Sequence, residues 1–133
     1  MALWAEMLLR LLAASALAAM LGYDREVRGK AAGVRTHVMI ALGAAAFTIA
    51  SIYGFGNADM SRIASGVVAG VGFLGAGVIF HGNQGSMVAG LTTAASIWVT
   101  AAIGLAVGCG LYVLGAGIAL IAILVLRLPR IKD

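Results

Sequence analysis

The chain has 133 residues, of which 62% are hydrophobic and only 11% charged, with a formal net charge of +4. Soluble domains average roughly 45–50% apolar and 25% charged residues, and a domain this small leaves too much surface exposed to hide the excess. A water-soluble globule is excluded, and so is a disulfide scaffold, because Cys109 is the single cysteine.

The spacing of the charges points to a bilayer. Residues 36–58 form a 23-residue stretch without Asp, Glu, Lys or Arg, and residues 63–126 form one of 64. As helix, the longer stretch would run about 96 Å, some three crossings of a hydrocarbon core about 30 Å thick. An all-α polytopic membrane protein is expected, a single domain over residues 1–133 with the lipid bilayer as its solvent. Its five transmembrane helices fall at about 3–21, 37–55, 62–80, 90–107 and 111–126.

The first span, Leu3 to Leu21, contains Glu6 and Arg10, an i, i+4 pair in the favourable order. A lone arginine about two turns inside a membrane is costly, so Arg10 should pair with Glu6. Two readings stand: a mutually neutralising pair near a helix end, or a polar contact facing the bundle. Ala16-Leu17-Ala18 resembles a signal-peptidase site, but the positive charges follow the apolar stretch, the reverse of a signal peptide.

The loop that follows, GYDREVRGKAAGVRTH from Gly22 to His37, gathers Asp24, Arg25, Glu26, Arg28, Lys30 and Arg35. Gly29 and Gly33 argue for a break within it. It reads either as a topology-fixing loop beside anionic head groups or as a platform that grips a partner or ligand through Asp24, Arg25, Glu26, Arg28, Arg35, Thr36 and His37.

The second span ends at the turn-prone cluster Gly54-Phe55-Gly56-Asn57. The third, Arg62 to Phe80, holds Gly66, Gly70, Gly72, Gly75 and Gly77, a density that lets neighbouring backbones approach. It is expected to be a central helix surrounded by protein. A turn is expected at residues 81–85. In the fourth span Thr92, Ser96 and Thr100 place hydroxyls on one face, with Thr93 beside them, either bonding back one turn or bonding across to a neighbour. Gly104 and Gly108 repeat the small-residue spacing there, and Trp98 is read as a packing residue. Gly108-Cys109-Gly110 turns the chain into the fifth span, which Pro129 keeps from continuing far. Trp4, Tyr23, Tyr53 and Tyr112 fall near span ends, as interfacial aromatics do.

Orientation follows from the positive charges. Arg25, Arg28, Lys30 and Arg35 in the first loop and Arg127, Arg130 and Lys132 in the tail lie on one side, against Arg62 alone on the other. This places the N-terminus outside and the first loop and C-terminus in the cytoplasm. Basic residues clustered beside apolar spans orient a membrane protein, so no nucleic-acid partner is expected.

No Gly-Lys-Ser/Thr phosphate loop, nucleophile elbow or HExxH occurs, and His37 and His81 lie 44 residues apart. No enzymatic activity, metal or cofactor is expected. A small channel or carrier for Mg²⁺ or another ion stays open as an alternative. However, Glu6, Asp24, Glu26, Asp59 and Asp133 are the only acids, and none lies at a span centre.

Four stretches in order resemble the MgtC/SapB family of bacterial inner-membrane proteins. They are Gly22-Tyr23-Asp24-Arg25-Glu26, Ala32-Gly33-Val34-Arg35-Thr36-His37, Gly72-Phe73-Leu74-Gly75-Ala76-Gly77 and Gly90-Leu91-Thr92-Thr93-Ala94-Ala95-Ser96. The resemblance implies a five-helix domain in the inner (plasma) membrane, linked to growth at low magnesium and, in pathogens, to survival inside host phagocytes. It implies regulation of another inner-membrane complex, without catalysis. The family's acidic-Arg-Glu signature falls on Asp24, Arg25 and Glu26, and its Gly-x-Arg-Thr-His signature on Gly33, Arg35, Thr36 and His37. The chain departs from the pattern at Asp24, where Glu is usual, and at Ala89, where Arg is usual. Longer relatives add a soluble C-terminal domain; this chain is expected to be the membrane domain alone. The surplus GxxxG faces suggest a homo-oligomer, with a dimer favoured.

Overall fold

The computed structural model describes residues 2–56, 59–81 and 87–129. The described residues form five α-helices and no strand: α1 Leu3–Val27, α2 Val34–Gly54, α3 Ser61–His81, α4 Met87–Gly108 and α5 Tyr112–Leu126. The first four are long and apolar enough to cross a membrane. At 15 residues α5 is shorter, about 22 Å by helical rise. Asn57, residues 82–85, Arg130, Lys132 and Asp133, which enter the expectations above, lie outside the described residues.

The apolar run of the first span ends at Leu21, but its helix does not. It continues through Gly22–Val27, and α2 begins at Val34, so the charged loop shrinks to residues 28–33. Gly29 makes the turn with φ +71°, a conformation only glycine takes without strain. Gly22 brings the two helices together: a Cβ there would lie 2.8 Å from both the Gly33 carbonyl oxygen and Val34 Cα. The Glu26 carboxylate accepts the Val34 N–H at 3.0 Å and so caps α2 from α1. At the far end of α2, the Asp59 carboxylate accepts both the Ser61 N–H (3.0 Å) and its hydroxyl (2.7 Å) ahead of α3. These bonds hold its carboxyl below the ordinary carboxylate range.

The central helix is α4, not the glycine-dense α3. In its most apolar window 56% of α4 is buried, against 17% of α3. α4 packs on all four other helices, whereas α3 touches only α2 and α4. The α2–α4 seam is built from small residues. A Cβ on Gly104 would collide with the Ala41 carbonyl oxygen and come within 2.9 Å of Ala44 Cβ. One on Gly108 would lie 2.9 Å from Thr48 Cβ and 3.0 Å from the Ala45 carbonyl oxygen. In α3 only Gly75 meets a neighbour, Ala94 at 3.4 Å. Nothing among the described residues lies within 4 Å of a Cβ at Gly66, Gly70, Gly72 or Gly77. Glycine density thus reports how closely a helix can be approached, not whether the same chain approaches it. Trp98 is likewise exposed, at 57%, rather than packed in the core.

Helix packing in lipid depends on close contact, because lipid gives apolar side chains no reason to cluster. Gly104→Ala should therefore destabilise the bundle by about 1–3 kcal/mol through overpacking. Gly72→Ala should be neutral or up to about 1 kcal/mol stabilising through helix propensity. Reversible unfolding of both variants in detergent micelles measures the difference.

Candidate functional site

The α1–α2 loop end of the bundle holds a polar cluster that two stretches of sequence build together. Asp24 and Arg25 follow each other on α1, and both are buried, at 3% and 2% exposure. His37 stands in the first turn of α2 and is fully buried. Thr93, Ser96 and Thr100 are the buried hydroxyls of α4. Arg25 Nη2 donates to Thr93 Oγ1 at 3.1 Å. His37 Nδ1 lies 2.9 Å from the Gly33 carbonyl oxygen, which can only accept, so this nitrogen carries the proton. The Nε2 atom is hydrogen-bonded to Ser96 Oγ at 3.1 Å. Ser96 Oγ also lies 2.7 Å from the Thr93 carbonyl, its single proton shared between that oxygen and the Nε2 acceptor, and Thr100 donates to the Ser96 carbonyl at 2.7 Å. The α4 hydroxyls therefore do both things expected of them: they bond back along their own helix, and they tie α1 and α2 to it.

Asp24 is the anionic centre. Its Oδ1 accepts from Arg127 Nε at 3.1 Å, just beyond the end of α5, and its Oδ2 lies 3.5 Å from Arg28 Nε. Oδ2 and Arg25 Nε have no hydrogen-bond partner among the described residues. One buried carboxylate thus faces Arg28 and Arg127 directly, with Arg25 beside it, and the cluster is cationic in excess. The Arg28 and Arg127 side chains remain 42% and 61% exposed, so the excess reaches the surface.

A second polar group sits at the opposite end. Arg10 Nε donates to Glu6 Oε2 at 2.9 Å, and Arg10 Nη1 to the Gly108 carbonyl at 3.0 Å, where a cation suits the end of α4. Tyr112 donates its hydroxyl to the same Glu6 oxygen at 2.7 Å, and the guanidinium lies 5.7 Å from the Tyr53 ring centroid. The pair therefore faces the bundle and binds α1 to the ends of α2, α4 and α5.

Of the seven loop residues singled out from the sequence, the structure brings Asp24, Arg25 and His37 together with Ser96 and Thr100. It leaves Glu26, Arg28, Arg35 and Thr36 exposed. Thr92 is half-buried on α4. Sequence reasoning gave Tyr112 and Arg127 no bonding role and named no partner for Thr93. Alternation of charge and apolar residue can place them near a membrane surface, but the partner depends on how the helices are rotated.

Removing one partner from a buried ionic group leaves the others uncompensated, at a cost of roughly 3–5 kcal/mol. Asp24→Ala should destabilise the protein by that order and Arg127→Ala, whose side chain is largely exposed, by about 1 kcal/mol or less. Thermal unfolding in detergent compares the two.

A profile described as the MgtC family matches residues 11–132. The chain is 49% identical over 131 residues to the Escherichia coli protein named "Putative magnesium transporter YhiD", covering 92% of this chain and 60% of that protein. It is 42% identical over 124 residues to "Protein SrpB" of Synechococcus elongatus (84% of this chain, 68% of that one). To "Protein MgtC" of Brucella abortus it is 43% identical over 95 residues (71% and 39%). The chain thus spans about three fifths of the length of its Escherichia coli relative. No solved structure matches. With a family profile covering nearly every residue and the signature residues gathered at one end of a helical membrane bundle, this chain belongs to the MgtC family.

Proposed function

We propose that this protein is a non-enzymatic regulator of a magnesium-linked process in the bacterial inner membrane, acting by contact with another membrane complex. The link to magnesium comes from the name of the Escherichia coli relative. The observation that carries the regulatory reading is the environment of Asp24. A carboxylate held between Arg28 and Arg127, with Arg25 adjacent, repels a divalent cation rather than coordinating one. The same cationic excess suits an acidic patch on a partner protein. Arg28 and Arg127 supply the exposed contact, and the buried bonds of Arg25 and His37 to α4 hold the platform rigid. The positive-inside count of the sequence sets this end in the cytoplasm.

The name of that relative also favours a second reading, a carrier for Mg²⁺. A path along the α2–α4 seam does not fit it, because Gly104 and Gly108 bring backbone onto backbone there.

Charge reversal at both Arg28 and Arg127 should abolish complementation of a low-magnesium growth defect while membrane levels hold. Lys30→Glu should preserve it. Purified protein in proteoliposomes should pass no Mg²⁺ down a gradient. Sustained flux, together with complementation by the double reversal, would transfer the function to transport.

A further inference from the structure

Arg35 and Thr36 stand apart from the polar cluster. Both are exposed, and neither side chain makes a hydrogen bond or ion pair among the described residues. They edge a cavity of about 590 Å³ whose inner walls are Met39, Ile40, Leu74, Val78 and Ile97. Glu26 shares the rim but commits a carboxylate oxygen to the Val34 N–H. Met39, Ile40 and Leu74 also line a second, more apolar cavity of about 530 Å³ between α2 and α3. The two therefore share a wall, with the polar-rimmed cavity beside the apolar slot at its α1–α2 loop end. Gly43, Gly66 and Gly70 line that slot, and nothing described lies within 4 Å of a Cβ at any of them. From Arg35 to Phe47 the α2 wall runs about 18 Å by helical rise. That length suits a single leaflet, half of a core about 30 Å thick, and is short for a helix that spans the whole.

We propose that this site binds an anionic phospholipid of the leaflet on the α1–α2 loop side. Its phosphate meets the Arg35 guanidinium and the Thr36 hydroxyl, and one acyl chain lies in the slot between α2 and α3. A cation and a hydroxyl at the mouth select the anionic head, and the apolar walls below accept the chain. The proposal is independent of the regulatory reading, which rests on Arg28 and Arg127 on the other side of α1. Arg62, at the far end of the slot, is the competing position for a headgroup.

The test is native mass spectrometry of the full chain in detergent, titrated with phosphatidylglycerol, phosphatidylcholine or inorganic phosphate, with size-exclusion chromatography in parallel. Expected is one retained phosphatidylglycerol per chain, weak retention of phosphatidylcholine and no protection by phosphate alone. Arg35→Gln should weaken phosphatidylglycerol binding roughly tenfold, the loss of one charge-assisted bond, and Lys30→Gln should not. Gly70→Leu, which fills the slot, should abolish retention in a monodisperse, helical protein; if it does not fold, Arg35→Gln and Thr36→Val decide. Equal retention of phosphatidylcholine, or loss on Arg62→Gln but not Arg35→Gln, would overturn the assignment. So would competition by phosphate alone, or a Gly70→Leu variant that keeps its lipid but changes oligomeric state, which would give the slot to a second copy.

Discussion

A bilayer offers a buried polar group no water, so each one must find its partner inside the protein. In this chain that requirement falls on one helix. α4 carries the hydroxyls that receive Arg25 and His37 at the loop end, and its terminal carbonyl at Gly108 receives Arg10 at the other. Between those ends its glycines let α2 come into backbone contact. Polar bonds at both ends and close packing between them are a single design: the small residues set the distance at which His37 can reach Ser96. The rest of the bundle is arranged around that axis, with α1 and α5 on one side and α3 at the edge.

Much of this architecture is legible in the amino-acid sequence. Charge-free stretches count the helices, and Gly29, Gly33 and Gly110 mark breaks that the structure realises, two of them with positive φ. The Glu6–Arg10 pair forms as its spacing requires. Rotation is not legible. Asp24 and Arg25 stand in a run of charges that looks solvated, yet α1 continues past its apolar stretch and turns both residues inward. Four residues on, Arg28 stays partly exposed. A local pattern fixes which residues share a face; which face meets the protein depends on neighbours distant in the chain, 103 residues away for Asp24 and Arg127. The glycines of α3 illustrate the same gap from the other side, since their spacing permits contact that the fold within one chain does not make.

The division between inward and outward signature residues gives the family pattern physical content. Asp24, Arg25 and His37 serve the bundle, and their substitution is first a stability question. Arg28, Arg35 and Thr36 are exposed instead: Arg28 lies against Asp24, which Arg127 also meets, and Arg35 and Thr36 edge the cavity over Met39, Ile40 and Leu74. The buried polar centre and the exposed basic residues are thus separate features of one bundle.

The central claim is that the polar cluster is sealed within the bundle. Single cysteines replacing Thr36, Thr93 or Ser96 in a Cys109→Ser background, exposed to a membrane-impermeant maleimide in native vesicles, test it most directly. The account predicts rapid labelling of the Thr36→Cys variant from one side. The Thr93→Cys and Ser96→Cys variants should react only after denaturation. Labelling of the Ser96→Cys variant in the native state as fast as that of Thr36→Cys would mean a water-filled path along α4, and would contradict it.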